Sequence, residues 1–276
     1  MNTHKDKWFE LINQSYQNPP ITYKDQLLPG FPSDTIQINT TGQCGAPTLK
    51  EAFIFYEDCA QTFEKTGIPI SNKHTLLDFG IGWGRIARFF MKDLPLKNIY
   101  GIDVEPSMID ICKDTFKTDN FQTCEPHPPT SLPEEKFDFI VAYSVFSHLS
   151  EEACFEWMKE FSRILRPGGM VAVTTRGRPF FDFCQAQNPE SAGYTGALGR
   201  LFPDFNEARA QYDRGEFVHS NIRGVDGGGS MNSTFYGETF IPEQYARTAY
   251  NEFMTFENFL YEPPRQTHPI LFMRKK

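Results

Sequence analysis

The sequence predicts an α/β fold, a doubly wound, seven-stranded, mostly parallel sheet with a reversed C-terminal hairpin. Three observations carry this. From residue 74 onward, seven short apolar strand-like runs appear, and most alternate with amphipathic helical segments, the pattern of a parallel sheet covered on both faces. One strand runs straight into three alternating glycines and then a helix, in Leu76-Leu77-Asp78-Phe79-Gly80-Ile81-Gly82-Trp83-Gly84-Arg85. At the far end, the runs at 254–260 and 269–274 are separated only by 261–268. That connection is too short for a helical crossover, so the two runs should pair antiparallel.

The elements follow in order. A helix is expected over 7–17, then an extended arm through Pro19-Pro20, Pro29-Gly30 and Phe31-Pro32. Thr48 with Glu51 reads as a capping box. The helix it opens carries Leu49, Ala52, Phe53, Tyr56, Cys59, Ala60 and Phe63 on one stripe, and Gly67 and Pro69 close it. Strands are expected at 74–79, 98–103, 121–124, 137–143 and 170–175. Helices are expected at 85–92 and from Pro106, a residue suited to the first helical position. Ser150 caps a further helix, with Glu151 and Glu152 where the helix dipole favours acids. Its core face is Cys154, Trp157, Met158, Phe161 and Ile164, and it ends at Arg166-Pro167-Gly168-Gly169. A last helix is read at 242–251. Residues 1–71 are expected to form an arm and helices closing the ligand site. Residues 72–276 form the main domain, with 177–240 as an aromatic insert serving as a lid.

Composition narrows the function. Hydrophobic residues at 39% and charged residues at 22% exclude a disordered tail or a fibre. With 27 Lys+Arg against 35 Asp+Glu the chain carries −8, which lacks the field that gathers phosphate backbones and so disfavours a nucleic-acid partner. No run reaches the ~18 apolar residues of a membrane span. The segment from Met1 to Glu10 is polar, so no secretion signal is expected and the expected compartment is cytoplasmic. The six cysteines form no CxxC pair and are read as reduced, buried, small apolar residues. No metal site is assigned. The 27 phenylalanines exceed what a core needs.

The glycine run is the strongest chemical signal. Glycine permits the sharp turn and lets a ligand approach main-chain atoms, and the helix behind it offers free N–H groups. A dinucleotide site wants GxGxxG. Here the spacing is GxGxG and position 85 is arginine. Asp78, just before the first glycine, would sit poorly beside a pyrophosphate and suits a ligand with an ammonium group and one carboxylate. That describes the methionine end of S-adenosylmethionine. Asp103 ends the next strand, roughly 20 residues on, where a carboxylate accepts hydrogen bonds from ribose hydroxyls. Read alone, Asp103 is equally a capping acid before Pro106.

Together these residues resemble the class I S-adenosylmethionine-dependent methyltransferases, and within them a bacterial small-molecule type. Asp78-x-Gly80-x-Gly82-x-Gly84 is similar to that family's first motif, and Asp103 to its ribose-binding acid. Phe137-Asp138-Phe139-Ile140-Val141-Ala142 is similar to its fourth strand, and Leu165-Arg166-Pro167-Gly168-Gly169-Met170 to the turn before its fifth. Gly82-Trp83-Gly84-Arg85 and Val145-Phe146-Ser147-His148-Leu149-Ser150 resemble the bacterial subgroup. The resemblance implies a Rossmann-like fold and S-adenosyl-L-methionine as cofactor. It also implies that the 80–84 main chain lines the methionine part while Asp78 orders the loop and the amino group. Asp103 would hold the ribose, and Val104 and Met108 would flank the adenine. Ala142 and Tyr143 would lie beside the transferred methyl. Arg85 would reach the cofactor carboxylate, or be an exposed first-turn arginine. Glu125 does not match the family's spacing for an adenine-reading acid.

For the chemistry, His148 follows the fourth strand and is the candidate base, with a histidine bonding the backbone at a helix entry as the bland reading. Tyr143 is a weaker alternative. His219 is read as an exposed loop histidine, with substrate contact as the alternative. The aromatic insert suits a small organic acceptor methylated at oxygen. The alternatives are a nicotinamide-dependent oxidoreductase, against which Arg85 speaks, and a cofactor-binding module without turnover.

Overall fold

The computed structural model of the protein describes residues 4–225 and 227–276. Met1, Asn2 and Thr3 of the polar N-terminal segment, and Asp226, lie outside the described residues. The chain divides into two compact units. Among the described residues, one holds 4–124, 137–141 and 264–267, and the other holds 125–136, 142–225, 227–263 and 268–276.

The first unit opens with α1 (His4–Gln17), a small ribbon of β1 (Thr22–Tyr23) and β2 (Gln26–Leu27), α2 (Asp34–Thr41) and α3 (Ala46–Lys65). α3 buries the expected stripe, with Leu49, Ala52, Cys59 and Phe63 all at 0% exposure. The capping box does not form. Gly45 precedes the helix and Pro47 lies in its first turn, so the helix starts before Thr48, whose hydroxyl bonds that of Thr41 instead. Trp8 of α1 donates to Phe89 O at 3.0 Å, and Phe9 packs on Phe53. Then come β3 (Leu76–Phe79), a single-turn α4 (Ala87–Phe90), β4 (Ile99–Asp103), α5 (Pro106–Phe116), β5 (Phe121–Thr123) and β6 (Phe137–Ala142). The expected 85–92 helix is reduced to α4 because turns bonded three residues apart flank it, as in Gly84 N to Ile81 O and Phe89 N to Ile86 O.

The second unit continues with α6 (Glu151–Ile164), capped as expected by Ser150, whose hydroxyl accepts from Ala153 N. α6 passes without a loop into β7 (Leu165–Thr174), so the strand begins five residues before the expected Met170. The insert holds α7 (Pro179–Gln185), α8 (Gly193–Gly199), α9 (Phe205–Asp213) and a ribbon of β8 (Val218–Ser220) with β9 (Glu238–Phe240). Its rings fill a core of their own, in which Phe181 stacks on Phe240 at 3.9 Å beside Leu198, Leu201 and Phe205. α10 (Glu243–Ala249) leads into β10 (Met254–Leu260) and β11 (Ile270–Lys275).

Seven strands form one sheet in the order β10-β11-β7-β6-β3-β4-β5. β3 pairs parallel with both β4 and β6, and β4 with β5. β11 runs antiparallel to both β7 and β10. This is the expected doubly wound sheet with its reversed hairpin. Among the described residues no helix is long and apolar enough to cross a membrane.

Candidate functional site

In the first unit the site grows from the end of β3, which is buried along its length. Beyond Phe79 the chain turns through Gly80, Gly82 and Gly84 at φ of 69°, 52° and 79°, a left-handed region that favours glycine. Gly80 N and Ile81 N both donate to Ile102 O, at 2.9 and 3.1 Å, which ties the loop to the end of β4. A Cβ on Gly84 would lie 2.3 Å from the Phe116 ring, so this glycine lets α5 pack against the loop. A Cβ on Gly82 would meet nothing within 4 Å, so the main chain there faces open space.

The Asp103 carboxylate closes this arrangement. Its Oδ2 accepts from Gly82 N at 2.8 Å and its Oδ1 from Glu105 N at 2.9 Å. The loop and the acid are therefore one hydrogen-bonded unit, to which Val104 N adds a further backbone bond. Burial raises the Asp103 pKa against these N–H bonds. Asp78 is 1% exposed, and its Oδ2 accepts from Ala87 N at 3.0 Å, fastening the start of α4. Burial outweighs that bond and, with the charge of Asp103, pushes the Asp78 carboxyl up to about 8. Val104 and Met108 are half-buried at the opening of α5.

Two arginines brace the loop. Arg85 is buried rather than exposed. Its Nη1 pairs with Glu51 at 2.6 Å and also donates to Thr48 O. Arg88, which sequence reasoning passed over, is fully buried. Its guanidinium lies 3.9 Å from the Phe31 ring centroid and donates to the carbonyls of Gly84 and Gly30. Burial pulls its pKa down to about 9. The signal was a lone cation in the apolar run Ile86-Ala87-Arg88-Phe89-Phe90.

The second unit holds a separate polar cluster built around β9. Gly237 N donates to His148 O, Thr239 N to Ser147 O, and Arg176 N to Thr239 O, at 2.7, 2.8 and 3.1 Å. These bonds bring Glu238 to both His148 and Arg176. Glu238 is fully buried, and its Oε2 accepts from Arg176 Nε at 2.7 Å. Its Oε1 accepts from the Tyr194 hydroxyl at 2.5 Å and lies 3.4 Å from His148 Nδ1. His148 Nδ1 lies 2.7 Å from Gly237 O. A carbonyl only accepts, so Nδ1 carries the proton and Nε2 the lone pair. The ring stacks flat on Tyr236 at 4.8 Å. Burial pulls the His148 pKa below its ordinary value, against the pull of Glu238.

His219 is a strand residue of β8 and half-buried, which corrects the reading of an exposed loop histidine. Ala142 is fully buried at the end of β6, and the half-buried Tyr143 sets its ring edge-on to His268. Glu238, Arg176 and Tyr194 were not singled out from sequence. A single carboxylate among the rings of Phe235-Tyr236-Gly237-Glu238-Thr239-Phe240 was the available clue.

An open-faced main chain at Gly82, a carboxylate bonded to it and a second acid beneath the loop suit a nucleoside ligand with a cationic amino-acid end, and two acids there oppose a pyrophosphate. Fold and site thus define an α/β protein of the nucleoside-cofactor class. Residues 76–169 match the family model described as a methyltransferase domain. The chain is 25% identical over 177 residues to an alpha N-terminal protein methyltransferase 1 of Dictyostelium discoideum, covering 62% of this chain and 60% of that protein. It is 26% identical over 148 residues to a malonyl-[acyl-carrier protein] O-methyltransferase of Yersinia pestis, covering 50% of this chain and 52% of that one. The matches thus span only about half to three-fifths of these relatives' length. The crystal structure of an S-adenosylmethionine-dependent methyltransferase from Mesorhizobium loti shares the fold. Its TM-score is 0.52 at 13% identity, over 78% of this chain and 96% of that one. Residues 76–169 thus form a methyltransferase domain of the kind that uses S-adenosylmethionine as cofactor.

Proposed function

We propose that this protein transfers a methyl group from S-adenosylmethionine to oxygen of a small organic acceptor by in-line displacement. The bound cofactor supplies a methyl group on a sulfonium, so the protein's part is alignment, exclusion of water and removal of one proton. In this reading the main chain of Gly80, Gly82 and Gly84 lines the methionine part, and Asp78 takes the amino group. Asp103 takes the ribose hydroxyls while holding Gly82 N. Val104 and Met108 flank the adenine, and Ala142 and Tyr143 border the methyl. Arg85, oriented by Glu51, meets the cofactor carboxylate.

The observation that supports methylation at oxygen is the His148 imidazole. Its proton is fixed on Nδ1 by Gly237 O, its Nε2 lone pair has no partner, and the Glu238 carboxylate lies behind it. A hydroxyl proton passes to Nε2, and Glu238 steadies the imidazolium that forms. Calorimetry tests the cofactor half. S-adenosylhomocysteine should bind and NAD should not. Asp103→Ala should weaken the former by roughly ten- to a hundred-fold, the value of one or two hydrogen bonds to a charged group. Unchanged affinity would remove the ribose assignment.

A further inference from the structure

Of the polar atoms without hydrogen-bond partners among the described residues of the second unit, three stand on β8 or on the segment that β9 bonds. Ser147 Oγ and His219 Nε2 are buried without a hydrogen bond, and His148 Nε2 makes none. They stand on adjoining segments. Thr239 N bonds Ser147 O, and Thr239 is the register partner of His219. The two imidazoles are close enough that His148 depresses the pKa of His219. The His219 tautomer follows from its neighbour. Thr239 Oγ1 gives its own proton to Leu149 O at 2.6 Å, so at 2.8 Å it accepts from His219 Nδ1. Both rings therefore carry the proton on Nδ1 and leave Nε2 as a bare acceptor. Buried polar atoms without partners are costly, which makes such a group a place that a ligand completes.

The charge around these atoms is already balanced. Arg176 is paired with Glu238, and both histidines are neutral near pH 7, with burial holding His219 down to about 4. A bound carboxylate would bring no proton for either Nε2 and would add an unmatched charge. A hydroxyl brings the proton each nitrogen wants. We propose that His148, His219 and Ser147 form the acceptor subsite, and that the acceptor is an uncharged molecule with two donor groups, a diol or polyhydroxy-aromatic compound, bound through hydrogen bonds given to the two Nε2 atoms. Naming this the acceptor subsite rests on the methyltransferase reading above. The recognition chemistry itself does not.

The test uses the full-length protein without cofactor, with resorcinol as neutral two-donor probe and benzoate as an anion of similar size. Nitrogen-15 spectra of the imidazoles should show Nδ1–H tautomers at His148 and His219, and resorcinol should move both Nε2 resonances while benzoate moves neither. His219→Phe should weaken resorcinol at least tenfold. Ser147→Ala, a smaller change, should weaken it severalfold and guards against misfolding of the first variant. Benzoate binding in preference to resorcinol would overturn the proposal, as would resorcinol leaving both imidazoles unmoved. S-adenosylhomocysteine affinity, measured separately, decides the methyltransferase reading. Its loss with resorcinol binding intact would sink that reading alone.

Discussion

Asp103 shows how one buried carboxylate fixes a loop and, on the proposed reading, prepares it for a ligand. By accepting Gly82 N and Glu105 N it shapes the loop, and under the proposed ribose assignment part of the ordering cost of binding is met in advance. The sequence placed this residue correctly at a strand end but held capping and ribose binding as alternatives. The structure shows its backbone bonds running to both the loop and the start of α5. His148 is the residue-scale counterpart in the second unit. His148→Ala should lower turnover by about 10²–10⁴-fold, the span of general base catalysis, and leave S-adenosylhomocysteine affinity within about twofold. The check is cofactor-product release with a hydroxyl acceptor that supports turnover, beside calorimetry. Equal loss of both quantities would make the histidine structural.

At the scale of elements, the glycine run is three residues with distinct duties. Gly84→Ala puts a methyl group into the Phe116 ring and strains a φ of 79°, so urea unfolding should show a loss on the order of 2 kcal/mol or more. Gly82→Ala meets no atom within 4 Å and costs only the backbone strain, about 1 kcal/mol, yet under the proposed cofactor assignment it should abolish most cofactor affinity. Equal stability losses in the two variants would contradict this division. Strand positions were legible because β3, β6 and β7 are buried apolar runs of strand length. The Thr48–Glu51 capping box was misread because Glu51 has a better partner, Arg85, which lies 34 residues away and outside any local pattern. The same limit hid Glu238. Its partners His148, Arg176 and Tyr194 lie 90, 62 and 44 residues before it, and the pairing of β9 collects them.

For the whole molecule the titrating groups set opposing pH limbs. Asp78 has its folded pKa raised to about 8, above the unfolded value near 4, so the folded state binds the extra proton between these limits. The stability this confers is complete below about pH 4 and is lost as pH rises through about 8. Asp78→Asn keeps an acceptor for Ala87 N and removes the titration. The melting temperature of this variant relative to wild type should therefore climb from pH 5 to pH 9, and a flat difference would refute the raised pKa. His219 acts in the other direction. With its folded pKa near 4, stability is full above about 6.5 and falls as pH drops toward 4. The acidic surface and the sheet topology were readable from sequence because they follow from composition and period. These pKa shifts were not, since burial of Asp78 and His219 is a property of the packed chain.

The self-contained core of the insert has an evolutionary corollary. Phe181, Leu198, Leu201, Phe205 and Phe240 satisfy one another within a segment that carries His219 and Glu238. A block that stabilises itself can be transplanted between homologues or diversified by recombination while the glycine-loop strands keep their own packing. Chimaeras that exchange this stretch would therefore be expected to redirect acceptor preference at little cost to cofactor affinity.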